Sequence, residues 1–231
     1  MEGSGGEAWS RVSARDVEVL EFVARFGVVP RSAMASWAGT ARSMTLRRER
    51  RLREAGLVEV RKLWPATEPV LTATRDGLAV CGRDDLRVAL VSLTTLRHFS
   101  VAAHLAADLE SSGEQLLSER ELLAHERAMG ERDLSVRLPG ASHHRPDLIA
   151  LGEPPTAIEV ELSPKGSARL DQIVAAWKAA VEKRRFARVR YCCSVEALPY
   201  VKRSVDRTEA GGQVEVGLLP QECLNAAPQL V

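Results

Sequence analysis

The chain has 231 residues, 45% of them apolar, 4% aromatic and 27% charged, which is enough apolar material for a core and too little charge bias for wholesale disorder. With 32 Lys+Arg against 31 Asp+Glu the net charge is +1, so a polybasic coat is excluded and any contact with nucleic acid has to be local. The length suits one to two domains, and the pattern along the chain changes near residues 82 to 90.

The start, Met1 to Glu7, is glycine-rich and acidic with no basic stretch leading into an apolar one, which reads as a disordered leader over residues 1–12 rather than a targeting peptide. No window approaches the run of about 18 apolar residues that a membrane helix requires. The four cysteines, Cys81, Cys192, Cys193 and Cys223, form no Cys-x-x-Cys pair, which fits reduced thiols in a cytoplasmic protein without zinc or a disulfide framework.

From Ser13, Val17, Leu20, Val23 and Ala24 fall on one helical face, with Ser13 as N-cap and Gly27 as stop. Pro30 opens a short second helix through Ala33, Met34 and Trp37 to Gly39; Thr40 or Ser43 caps a third that runs to about Ala55, with Leu46, Leu52 and Ala55 facing the core. Leu57 to Leu63 alternates with period two, and after a Pro-containing turn Val70 to Thr72 supplies a second strand. Helix, helix, helix, strand, strand is the order of a winged helix-turn-helix domain, expected over residues 13–85 with a closing helix from Thr74 to Cys81. Residues 41 to 62 hold eight basic side chains against three acidic ones, a local +5. Arg42, Arg47, Arg48, Arg50, Arg51, Arg61 and Lys62 are therefore the candidate DNA contacts, on the element that a winged helix inserts into a major groove.

Ser92 to Glu110 carries Leu93, Leu96, Val101, Leu105 and Leu109 at helical spacing, and residues 86–113 read as a linker helix able to serve as the contact of a homodimer. Its His98 and His104 read as ordinary helix residues. Residues 114–231 form the second domain: a helical stretch to Met129, strand-like runs at Asp147–Leu151, Ala157–Leu162 and Ala187–Cys193, a helix from Ser167 to about Arg185, a further helix from Leu198 to Arg207 and a strand from Val214 to Leu218. The expectation is α/β, α+β over the whole chain, with a mixed sheet. In an extended strand Glu159 and Glu161 project from one face and Ile158, Val160 and Leu162 from the other, and Asp147 starts the neighbouring strand. Three converging carboxylates suit a hard divalent cation, Mg²⁺ or Mn²⁺, which activates water for attack on a phosphodiester; the alternative is an amphipathic strand with a solvated polar face.

Pro146-Asp147 followed by Glu159 resembles the PD-(D/E)XK nuclease fold, a restriction-endonuclease-like mixed sheet, although the position that holds lysine in that motif is Glu161 here and the nearest lysine is Lys165, beyond a proline. More narrowly, Arg15-Asp16, Arg51-Leu-Arg-Glu-Ala-Gly-Leu57, Ser118-Glu-Arg-Glu-Leu122, His144-Arg-Pro-Asp147 and Ala157 to Lys165, with Arg169, Gln172 and Trp177 after them, resemble the replication-relaxation family of actinobacterial mobile elements and plasmids. That resemblance implies DNA binding in plasmid or mobile-element replication or maintenance. It also implies Glu119 as a further metal ligand, Lys165 as an ammonium on the phosphate or nucleophile, and Gln172 as the glutamine of the second helix; His143 and His144 read as loop residues and Trp177 as core. Two functions follow: a metal-dependent endodeoxyribonuclease on a DNA-binding protein, or a regulator or replication accessory factor whose nuclease-like domain is inactive and serves dimerisation or DNA contact. Neither calls for a membrane or a small-molecule cofactor.

Overall fold

The computed structural model describes residues 12–62 and 68–225 as a mixture of helices and mixed sheets, and its contacts divide the chain into two compact units, the second running from Gly113 to Leu224 and the first comprising the described residues up to Ser112 together with Asn225. The leader, apart from residue 12, and the Pro-containing turn lie outside the described residues. Among the described residues no helix is long and apolar enough to cross a membrane.

In the first unit α1 (Ala14–Phe26) begins with a reciprocal cap: the Ser13 hydroxyl accepts from the Asp16 N–H at 3.2 Å and the Asp16 carboxylate accepts from the Ser13 N–H at 2.9 Å. Gly27 ends it at φ 77. A two-residue strand β1 (Val29–Pro30), α2 (Arg31–Ala38) and α3 (Arg42–Glu54) follow. Antiparallel β2 (Val58–Arg61) and β3 (Val70–Ala73) complete a sheet of order β1-β3-β2. Thr74 caps α4 (Arg75–Val80) by accepting from the Gly77 N–H at 3.0 Å. Gly77 is required there because a Cβ would lie 2.1 Å from the Leu57 carbonyl oxygen.

Two expectations for α3 are corrected. Its N-cap is Ala41, without a side-chain cap, while the Thr40 hydroxyl sits 3.2 Å from that of Thr45. Leu46 is 38% exposed, and the inward stripe is Thr45, Glu49 and Leu52. The reason is an ion pair: Arg31 donates from Nη2 to Glu49 Oε1 at 2.6 Å and from Nε to the other oxygen, which turns Glu49 inward and rotates Leu46 away. The helix expected to be a linker, α5 (Leu93–Ser111), groups with this first unit, packs on α2 and β1, and buries Leu96, Val101, Leu105 and Leu109.

The second unit holds a five-stranded sheet of order β10-β9-β8-β7-β4, made of β4 (Leu116–Ser118), β7 (Leu148–Ala150), β8 (Thr156–Glu161), β9 (Arg188–Cys193) and β10 (Val214–Leu218). The β4–β7 and β7–β8 pairs are antiparallel, and β8–β9 and β9–β10 are parallel. The parallel pairs need crossovers, which α7 (Ser167–Glu182) and α8 (Leu198–Arg207) provide. An α6 (Glu119–Met129) starts on a Ser118–Glu121 capping box, a small ladder joins β5 (Val136–Arg137) to β6 (His143–His144), and α9 (Gln221–Asn225) closes the described chain. Ile149, Ala157, Val189, Tyr191 and Cys193 share a core with Leu170, Ile173, Val174 and Trp177 of α7, Phe186 and Val201.

Candidate functional site

Glu159 and Glu161 are separated by two along β8 and so leave the same face, where the register sets them beside Tyr191 and Cys193 of β9. That face is the one packed under α7, and both carboxylates are buried, at 3% and 4% exposure. Ile158 and Val160 are buried on the opposite face, so the strand lacks the solvated polar side that an ordinary amphipathic strand would show. Asp147 adjoins them: its Oδ2 accepts from the Val160 N–H at 2.7 Å, and its carbonyl accepts from the Glu119 N–H at 3.0 Å.

Each glutamate carries defined donors. Glu159 Oε1 accepts from the indole Nε1 of Trp177 at 2.8 Å and from the imidazole Nε2 of His144 at 2.7 Å, with the two rings edge to face. Lys165 Nζ lies 2.7 Å from Glu161 Oε2, one helical-turn equivalent along the chain but across the Ser163-Pro164 bend, so the lysine absent from the strand returns to the carboxylates from the loop. Burial raises the Glu161 pKa, Glu159 and Asp147 add to that rise, and Lys165 only partly offsets it. Burial alone would lower the pKa values of His144 and Lys165; Glu159 outweighs it for the imidazole and Glu161 for the ammonium, so both are raised and both groups favour the charged form. Tyr191, across from Glu159, has its hydroxyl buried without a hydrogen-bond partner among the described residues.

Among the described residues no group of three or more His, Cys, Asp or Glu side chains is arranged as it stands to hold a metal ion. The donor chemistry nevertheless fits a hard divalent cation: the oxygens are carboxylates, and three of them lie together with one ammonium and one imidazole as their side-chain cations. Asp147 and Glu159 are the residues that would hold it, beside a Glu161 already engaged by Lys165.

The remaining expected residues are distributed more widely. Glu119 opens α6 next to Asp147 through its backbone, and the carboxylate that caps this helix is Glu121. Gln172 and Arg169 are exposed on α7. His143 Nδ1 meets Arg132 Nη1 at 2.9 Å, whereas His144 belongs to the carboxylate cluster, together with Trp177, which is core and hydrogen-bond donor at once. The sequence signal for these two was weak: a histidine three positions before Asp147 and one tryptophan in an alanine-rich helix.

The basic stretch of the first unit is sorted by its partners. Arg51 is a scaffold residue: it donates from Nη2 and Nε to the two carboxylate oxygens of fully buried Asp16, at 2.8 and 3.2 Å, and so is withdrawn from the expected DNA contacts. Arg48 is half-buried and donates to the Arg15 carbonyl at 3.5 Å. Arg50 pairs with Glu54 at 2.7 Å and Arg61 with Glu59 at 2.5 Å, both at the surface. Arg42, Arg47, Arg53 and Lys62 are exposed and form no ion pair with another described residue. No family model matches this chain, and no curated protein matches it.

Proposed function

We propose that this chain is a DNA-binding protein of plasmid or mobile-element replication or maintenance, with a winged helix in its first unit and a PD-(D/E)XK-like phosphodiesterase site in its second. The order of α1 to β3, three helices with the short β1 after the first and then two strands, and the exposed arginines of α3 support the DNA-binding half. The observation that carries the catalytic half is Lys165 on Glu161: it brings a lysine from the loop to the face of β8 that carries Glu159, although the strand itself lacks one.

In this reading Asp147 and Glu159 would hold Mg²⁺ or Mn²⁺, which would supply a water nucleophile at neutral pH and neutralise charge on a phosphate. Trp177 and His144 fix Glu159 through one oxygen and set the direction of the carboxylate. Lys165 holds Glu161 and keeps a cation at the edge of the carboxylates. A second reading, an inactive nuclease-like domain on a regulator or replication accessory factor, is favoured by the two hydrogen bonds that already occupy Glu159 Oε1.

Incubation of supercoiled plasmid with wild type and Asp147→Ala, with and without Mn²⁺ or Mg²⁺, beside a gel shift of both proteins, separates the two. Cation-dependent nicking by wild type alone is the expected result. A shift by both proteins without nicking would leave the binding half standing and overturn the catalytic half.

A further inference from the structure

Leu46 is an apolar side chain displayed among cations. On a helix of about 3.6 residues per turn it falls between Arg42 and Arg50, one position in each direction along the same face, with Ser43 and Arg47 beside them, and all five are exposed. The buried stripe of Thr45, Glu49 and Leu52 occupies the other side and is pinned there by the Arg31–Glu49 ion pair, so Leu46 cannot be drawn inward without breaking that pair. Leu46, 38% exposed, is bordered on this face by Arg42, Ser43, Arg47 and Arg50, while the other exposed apolar side chain of the helix, Met44, lies off that face; a ligand that is anionic at its rim and apolar at one point would complete the burial of Leu46. The major groove of DNA has that make-up: phosphates along both edges and, in its floor, the thymine 5-methyl as the apolar group on a base edge.

We propose that Leu46 is a specificity residue that reads thymine through its 5-methyl group, while Arg42, Arg47 and Arg50 engage phosphates or guanine edges around it. This rests on the reading of α3 as the recognition helix and adds to it the base that one side chain selects. Leu46 lies in the first two turns of a thirteen-residue helix, the part of a recognition helix that meets base edges.

The test uses the full chain and duplexes selected by it from a randomised pool, each thymine of the selected site then replaced singly by uracil, which removes only the methyl. For wild type one replacement lowers affinity about fourfold, the worth of one methyl group withdrawn from contact. Leu46→Ala, whose folding is checked by an unchanged melting temperature, binds the thymine and uracil duplexes equally, and Arg47→Ala weakens binding to both while keeping the thymine preference. Indifference of wild type to every uracil replacement, or a thymine preference retained by Leu46→Ala, overturns the assignment of Leu46 and leaves DNA binding intact. Failure of wild type to enrich any duplex overturns both.

Discussion

The buried acids of the first unit and the carboxylate cluster of the second are partnered in opposite ways. In the first, each buried acid has its own arginine: Asp16 takes two bonds from Arg51 and Glu49 two from Arg31. Burial would raise the Asp16 pKa, but the Arg51 hydrogen bonds and those of Ser13 outweigh it and hold the carboxyl below its ordinary range. In the second unit Asp147, Glu159 and Glu161 lie together, their donors are a backbone amide, an indole, an imidazole and one ammonium, and the Glu161 pKa is raised. Matched charges of the first kind make a scaffold, whereas crowded, incompletely neutralised charges of the second kind are costly to folding and are the pattern expected of a functional site.

The contrast can be broken most severely at Arg51. Arg51→Ala leaves Asp16 buried without its cation and is expected to cost about 4 kcal/mol of unfolding free energy, measured by urea denaturation. Next comes pH. His104, buried on α5 with Nε2 3.0 Å from the Ser32 hydroxyl, has its pKa lowered by burial to about 4. The unfolded chain protonates this group near its ordinary pKa of about 6.5 and the folded chain does not, so stability present above pH 6.5 is lost as pH falls toward 4, by about 3 kcal/mol. His104→Gln should flatten that slope in denaturation midpoints compared at pH 7 and pH 4.5. Trp177→Phe keeps an aromatic side chain, though a smaller one, and removes the indole N–H from Glu159; the lost hydrogen bond to a charged group accounts for about 2 kcal/mol of the expected destabilisation, read by urea denaturation. Smallest is Ser13→Ala, which removes half of the α1 capping box and should cost about 1 kcal/mol, read as a lower melting temperature.

Much of the secondary structure is legible in the sequence where the local signal is complete. Leu198–Arg207 and Val214–Leu218 have the expected bounds, and Ser13, Gly27, Gly39 and Thr74 cap or stop helices as read. The helix α7 ends at Glu182 rather than near Arg185 because Arg184 adopts a positive φ of 57. The strands β4, β5 and β6 have two or three residues each, too few for periodicity to register, and exist through pairing with distant partners. Leu46 departs from its pattern for a related reason: hydrophobicity favours burying it, and the ion pair of Glu49 to Arg31, eighteen positions away, decides otherwise. Within the candidate site, the shared face of Glu159 and Glu161 follows from strand geometry, but the roles of Lys165, His144 and Trp177 depend on a bend and on contacts across fifteen and eighteen residues that no local pattern encodes.

The central claim is that the crowded charge of Asp147, Glu159 and Glu161 serves a divalent cation, and its most direct test is calorimetric titration of the full chain with Mn²⁺ in the absence of DNA. The account predicts a single saturable site in wild type that disappears in Asp147→Ala while the melting temperature of the apoprotein shows that the variant is folded. No binding by wild type, or an identical titration with Asp147→Ala, would contradict it.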